Sequence, residues 1–314
     1  MPGNDKLHGL FPAVVTPLDA NGQIHFANLQ HHIQCLKGEG CHGILLLGTT
    51  GEGPSLSVKE RKAVLHAALD VSSPLSVVAS TGCANLSESI ELTQHAFSSG
   101  ADAVLVMPPF YFRDATTAGL LAYYTALLHE SVPDSGSMLL YHFPKMSVPV
   151  SFELLELLLQ ADNRVQGIKD SSGDKNHLAQ VLRRFPTLKV FVGDERLLLD
   201  ALQQGGAGCM TAALNILTPL ANAVWQAFLE GQPAQDAQAR LSAGRVALDN
   251  FRPFPPAIKA LLAARYRSSG WNVRPPLTAL EAEASATLLD ELRSSDLNGI
   301  IPWLEDAGVG SGKR

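Results

Sequence analysis

The stretch Val165–Arg184, VQGIKDSSGDKNHLAQVLRR, holds one copy of the pattern that decides the fold. Val165–Lys169 reads as a short apolar strand, a polar turn follows, and Lys175–Arg184 reads as a helix. The rhythm continues outward in both directions. Upstream, strands at Phe11–Leu18, Cys41–Gly48, Leu75–Thr81, Ala103–Met107 and Ser137–Phe143 alternate with helices at Phe26–Lys37, Val58–Val71, Leu86–Ser99, Ala118–Glu130 and Phe152–Leu159. Downstream, strands at Leu188–Val192 and Gly208–Ala213 precede helices at Arg196–Gln203 and Pro219–Glu230. Eight such units in about 230 residues is what a closed (β/α)8 TIM barrel requires.

The strands are continuous apolar runs without strict alternation, as expected of strands covered on both faces. Polar caps mark helix starts: Ser57 precedes one helix, and Ser151 precedes another with Glu153 and Glu156 in its first turns. The competing architecture, an open doubly wound sheet, uses fewer strands and a glycine-rich turn after the first; here Thr16-Pro17-Leu18 closes that strand. Helical patterns at Ala234–Asn250, Pro256–Arg267 and Ala279–Leu292 form a C-terminal extension. The expected organisation is a barrel over 1–231, a helical region over 232–306 and a disordered tail at 307–314.

Composition narrows the function. Of 314 residues, 46% are hydrophobic and only 17% charged, which suits a folded core rather than a disordered chain. The net charge is −6 and no basic stripe appears, so nucleic acid is not expected as a partner. No apolar run reaches the roughly 18 residues of a membrane span, and Met1–Leu10 lacks a signal core. The four cysteines, Cys35, Cys41, Cys83 and Cys209, form no C-x-x-C pair and read as reduced thiols of a cytoplasmic protein.

In a barrel of this type, chemistry belongs to the C-terminal strand ends. Lys169 ends an apolar strand, so the barrel interior is a natural destination for it. Free amine, favoured for a lysine in a low dielectric, attacks a ketone to form a Schiff base. A strand-end lysine paired with Asp170 fits the same residues. Tyr141 ends the fifth strand, where it would either shuttle protons beside Lys169 or serve as an amphipathic core-edge side chain. Thr49 and Thr50, flanked by glycines, offer hydroxyls and backbone N–H groups to a carboxylate, or simply cap a βα turn.

Other patterns fail on context. Gly48-x-x-Gly51-x-Gly53 follows the second strand and is not a dinucleotide fingerprint, and Gly308–Lys313 lacks the Ser or Thr and the helix of a P-loop. His31 and His32 are adjacent, and neither a Cys/His cluster nor a G-x-S-x-G elbow is present, so no metal is expected.

Four segments together resemble one family: Gly48-Thr49-Thr50-Gly51-Glu52, Pro108-Pro109-Phe110-Tyr111, Leu140-Tyr141-His142-Phe143-Pro144 and Gly167-Ile168-Lys169-Asp170. In this order and spacing they are similar to the dihydrodipicolinate synthase/N-acetylneuraminate lyase family of pyruvate-dependent class I aldolases. The resemblance runs from Val15-Thr16-Pro17 to Arg274-Pro275-Pro276-Leu277. It implies Lys169 as the Schiff-base lysine, with no other cofactor, and Tyr141 as the general acid/base. It implies that Thr49 and Thr50 bind the pyruvate carboxylate, that Tyr111 completes a neighbouring subunit's proton relay, and that Gly193 and Met210 line the pocket. A homotetramer built from tight dimers is also implied.

One departure bears on the substrate. Family synthases carry an arginine shortly after the L-Y-x-x-P motif, and Met146 occupies that position here, with Lys145 expected to point elsewhere. A methionine cannot make a bidentate carboxylate contact. The resemblance therefore favours an aldolase acting on a 4-hydroxy-2-oxo acid or 2-keto-3-deoxy sugar acid. A dihydrodipicolinate synthase, a keto-deoxy sugar acid dehydratase and a non-catalytic barrel are the alternatives. Glu195 and Arg196 lie where sialic-acid lyases hold sugar hydroxyls, and Arg196 could instead meet a distal carboxylate.

Overall fold

The computed structural model describes residues 6–295, 297 and 300–306; the expected disordered tail at 307–314 lies outside them. Eight parallel strands form the barrel: β1 (Gly9–Pro12), β2 (Gly43–Leu46), β3 (Ser76–Ser80), β4 (Ala103–Val106), β5 (Met138–His142), β6 (Val165–Asp170), β7 (Lys189–Val192) and β8 (Gly208–Thr211). From β2 to β8 each strand pairs with the next, and β1 pairs with β8. An Ala13–Leu45 bridge, with Val14 N–H donating to the Leu45 carbonyl at 2.9 Å, draws β1 and β2 together.

Helices α1 (Phe26–Gly38), α2 (Val58–Ser72), α3 (Leu86–Ser99), α4 (Thr117–Ser131), α5 (Phe152–Ala161), α6 (Lys175–Arg184), α7 (Leu198–Gln203) and α8 (Leu214–Leu229) follow the strands in turn. Their starts are capped as polar residues dictate: Ser57 accepts the Glu60 N–H while Glu60 returns a bond to the Ser57 N–H, and Ser151 accepts from Leu154. Four further helices, α9 (Gln235–Asp249), α10 (Phe254–Tyr266), α11 (Ala282–Ser294) and the short α12 (Trp303–Asp306), make up the C-terminal region. Among the described residues no helix is long and apolar enough to cross a membrane.

Two expected boundaries moved furthest. The run Phe11–Leu18 is buried throughout, yet β1 ends at Pro12. Its second half is loop beneath the C-terminal region, where Leu18 bridges Ile24 and Asn272; apolarity there reports burial, not ladder pairing. Helix α8 begins at Leu214 rather than Pro219, although proline lacks the N–H for an interior helical bond. Asn215 offsets that loss. Fully buried, it donates to the Ala13 and Ala212 carbonyls, both at 2.7 Å, and its Oδ1 lies 2.9 Å from His32 Nε2, so tertiary bonds hold the first turn in place.

The core has two compartments. One lies between strands and helices and takes alternate strand residues such as Val104, Val106, Leu140, Ile168, Val190 and Val192. The other fills the barrel interior with Leu7, Phe11, Ala13, Leu45, Val78, Leu105, Leu139, Phe191 and Met210. Tyr141 belongs to the interior set. Register therefore decides which strand-end residues face the site: Tyr141 pairs with Lys169 and Lys169 with Phe191, so all three point inward.

Candidate functional site

A cavity of about 630 Å³ opens at the C-terminal end of the barrel. Its floor is Lys169 from β6 and Tyr141 from β5. Both are almost fully buried, and Lys169 Nζ sits 4.4 Å from the centre of the Tyr141 ring. A cation over an aromatic face is attracted electrostatically, and the contact holds the lysine away from its sequence neighbour. The alternative pairing of Lys169 with Asp170 does not occur. Asp170 points out of the barrel, where its Oδ2 lies 2.8 Å from His177 Nδ1 and its Oδ1 accepts the Ser172 N–H at 2.8 Å. Among the described residues neither Lys169 Nζ nor the Tyr141 hydroxyl has a hydrogen-bond partner, so both remain available to a ligand.

The loop after β2 supplies Thr49 and Thr50 to the same cavity. Leu47 and Glu52, which bracket it, adopt left-handed backbone angles of φ 62° and 54°, a conformation that side chains with a Cβ rarely hold without support. The support comes from the C-terminal region. Glu52 is buried, ion-paired with the equally buried Lys259 of α10, and accepts the Arg274 N–H at 3.0 Å. A buried carboxylate needs such partners, and these tie the threonine loop to α10.

Gly193, Met210 and Met146 also line the cavity. At Gly193 a Cβ would collide with the Ser171 side chain, so the loop after β7 can approach β6 closely only as glycine. Lys145 lines the cavity as well, contrary to the expectation that it points elsewhere: the chain turns tightly after β5, with Met146 N–H donating to the Phe143 carbonyl at 2.9 Å, and residues 145 and 146 both reach the rim. Glu195 does not line it. Its carboxylate is fully buried behind the wall, 2.9 Å from Arg245 Nη1, and burial pushes its carboxyl above the usual range despite that arginine. Tyr111 is not part of this cavity either; it is 77% exposed, in edge-to-face contact with the exposed Phe112.

The far wall contains residues that the sequence did not single out. Arg245 from α9, and Arg252, Pro253, Phe254 and Pro255 at the α9–α10 junction, face the cavity beside Asp194 and Arg196. Thr211, at the end of β8, presents a buried hydroxyl with no partner. Thr211 ends an apolar strand; Arg245 and residues 252–255 come from the helical extension, whose helix α9 packs against the turn Glu195–Leu197 after β7.

Behind the floor, His142, Asp170 and His177 bring one potential ligand atom each within 4.8 Å of one another, a grouping that the search for Cys/His clusters missed. The two imidazoles are stacked, 4.3 Å apart at 9°. An ion bound by imidazole lies in the ring plane, and parallel stacked rings cannot both aim at one ion. The Nδ1 of His142 already accepts the Val150 N–H at 3.1 Å. The group is a hydrogen-bonded network that joins β5, β6 and α6.

The chain matches the model of the dihydrodipicolinate synthetase family over residues 6–295. It is 39% identical over 283 residues to a DapA-like lyase from Chloroflexus aurantiacus, covering 89% of this chain and 94% of that one. It is 32% identical over 295 residues to a 4-hydroxy-tetrahydrodipicolinate synthase from Rhizobium meliloti, covering 90% and 96% respectively. Among solved structures, YagE, a prophage protein of the dihydrodipicolinic acid synthase family from E. coli K12 in complex with pyruvate, superposes with a TM-score of 0.87 at 28% identity, covering 92% of this chain and 99% of that one.

Proposed function

The chain belongs to the dihydrodipicolinate synthetase family, an enzyme family of pyruvate-dependent class I lyases, and from that premise we propose that Lys169 carries the substrate as a Schiff base while Tyr141 moves the protons. The observation that carries this reading is the pair itself: a buried lysine without a counter-ion among the described residues, its Nζ 4.4 Å from the centre of a tyrosine ring, on the floor of an open cavity.

The chemistry then follows from position. The Lys169 amine adds to the C2 ketone of a 4-hydroxy-2-oxo acid and water leaves, giving a protonated imine. The imine accepts the electron pair of the C3–C4 bond as that bond breaks. Tyr141, left as a phenolate after protonating the hydroxide lost in imine formation, takes the proton from the C4 hydroxyl, which departs as the aldehyde. Protonation of the resulting enamine at C3 and hydrolysis release pyruvate and regenerate the lysine. Thr49 and Thr50 receive the C1 carboxylate through hydroxyl and backbone N–H groups. No metal or further cofactor is needed for these steps. Run in reverse, the same enamine adds to an aldehyde.

The preferred direction is the aldolase acting on 4-hydroxy-2-oxo acids or 2-keto-3-deoxy sugar acids, because Met146 stands at the rim where a synthase would need an arginine. A coupled assay with pyruvate and aspartate semialdehyde tests the synthase alternative. The exposed Tyr111–Phe112 pair supports an assembly in which Tyr111 reaches a neighbouring subunit's site, in a homotetramer; light scattering in solution measures that. The free cysteines, three of them buried, suit a reducing, cytoplasmic setting.

Borohydride reduction in the presence of pyruvate, followed by peptide mass spectrometry, tests the central assignment. A stable adduct on Lys169 is the expected result; an adduct on another lysine, or none on folded protein, removes it.

A further inference from the structure

The far wall of the cavity has an unusual division of charge. Lys145, Arg196, Arg245 and Arg252 line it, whereas Asp194 is the one carboxylate among its lining residues. The other acids of this neighbourhood, Glu195 and Asp249, lie behind the arginines and orient them. The chain as a whole carries a net charge of −6, so a cationic wall is a local construction rather than a reflection of composition.

The four cations are not equally available. Arg245 is buried and engaged with Glu195 at 2.9 Å and Asp249 at 3.0 Å. Arg196 is held by both oxygens of Asp194 and by Asp249 at 3.1 Å. Arg252 is half exposed, among the described residues bonds only to Asp249, through Nη2 at 2.6 Å, and rests its guanidinium 4.7 Å over the Phe254 ring. A guanidinium has five N–H donors, and Arg252 lines the cavity while Asp249 engages only its Nη2 among the described residues. Lys145 has no partner among the described residues. The charged side chains of the wall thus offer donors and no free acceptor, since the oxygens of Asp194 are taken by Arg196, and the Thr211 hydroxyl is a neutral side-chain group beside them. The hydroxyls of a neutral polyol need both donors and acceptors; an anion needs donors alone.

Resting on the Schiff-base reading of Lys169, we infer that this wall binds a second anionic group, a carboxylate or phosphate at the far end of the substrate. Arg252 is the specificity-determining residue, and Lys145 assists. Pyruvate alone does not fill a cavity of about 630 Å³, and the substrate is a 2-oxo acid charged at both ends.

The test compares pyruvate release from three substrates: 4-hydroxy-2-oxoglutarate, 2-keto-3-deoxy-6-phosphogluconate and unphosphorylated 2-keto-3-deoxygluconate. The expected result is that kcat/KM for at least one doubly charged acid exceeds that for the neutral-ended sugar acid by about tenfold or more. Which of the two it is distinguishes carboxylate from phosphate. Arg252→Ala, checked for an unchanged melting temperature, raises KM for that substrate about tenfold or more, and Arg252→Lys recovers part of the loss. Preference of the wild-type enzyme for the neutral-ended acid overturns the inference. So does a KM for the charged substrate that stays within about twofold in Arg252→Ala, or turnover of neither charged acid. Borohydride trapping of pyruvate on the wild-type enzyme separates the two levels. Failure to trap Lys169 sinks the underlying assignment, whereas an adduct without charge preference sinks only the inference drawn from the far wall.

Discussion

Strands β5 and β6 carry two pairs of polar residues, one position apart, with opposite fates. Tyr141 and Lys169 are register partners that point into the barrel; His142 and Asp170, the next rung, are partners that point out. The inner pair is buried without hydrogen bonds and faces a cavity. The outer pair is equally buried but bonded within the protein. Asp170 bonds His177 and the Ser172 N–H, His142 accepts from Val150, and the His142–His177 stack seals the gap against α6. A group that has spent its hydrogen-bonding capacity on the protein has none left for a substrate, while a buried polar group without partners is costly unless a ligand provides them. We propose different tasks for the two rungs, chemistry within and rigidity without.

The sharpest way to break this division is to remove the inner cation. Lys169→Ala should lower turnover by roughly 10⁴-fold or more, because the covalent step has no substitute, and should abolish borohydride trapping of pyruvate while the fold persists. Substantial turnover by that variant would falsify the assignment. Next in size is Tyr141→Phe, which keeps the ring beneath Lys169 but deletes the hydroxyl. Loss of one general acid/base costs about 10²–10⁴-fold in kcat, and trapping should survive at a slower rate. An unchanged kcat would move the proton transfer to another group.

The outer rung answers to a different measurement. Asp170→Asn preserves shape but removes the charge from the bond to His177. Hydrogen bonds to charged groups contribute about 1.5–3 kcal/mol, so the variant should melt several degrees lower. Lys169 should remain trappable, with kcat/KM reduced by less than about tenfold. A loss of activity comparable to that of Tyr141→Phe, at an unchanged melting temperature, would place Asp170 with the inner pair and erase the distinction.

The inner rung was legible in the sequence and the outer one was not. The strand Val165–Lys169 is an apolar run with one lysine at its functional end, and that contrast is local enough to notice without coordinates. The role of Asp170 depends on His177, seven residues on and on the far side of a turn, and on His142 from another strand. The three residues lie on three different elements, so no periodicity within one element connects them. Arg252 was hidden for the same reason, since it joins the cavity from the junction of α9 and α10, far along the chain from β6. Glu195 shows the converse error: it sits one residue from a cavity-lining aspartate, and the short turn Glu195–Leu197 rotates it into the core against Arg245. At the end of a strand a single residue of displacement changes the side of the wall.

The smallest effect lies in the titration of His142. Its burial drives the imidazole pKa down from 6.5 to about 4, with Asp170 pulling the other way and His177 adding to the depression. A histidine whose folded value lies below its unfolded value binds fewer protons in the native state across that interval. Its contribution to stability is therefore fully present above pH 6.5 and is lost as pH falls towards 4. For a single group the slope cannot exceed about 1.4 kcal/mol for each pH unit. His32, buried and depressed to about 3, adds to the same acid-side decline, so thermal melting alone does not resolve the two. Imidazole NMR resonances do. The His142 signal should stay in its neutral form through pH 5 and reach its midpoint near 4. A midpoint near the ordinary value would mean that water reaches the outer rung, which would then be an open polar pocket like the inner one rather than the seal that holds β5 and β6 in register behind it.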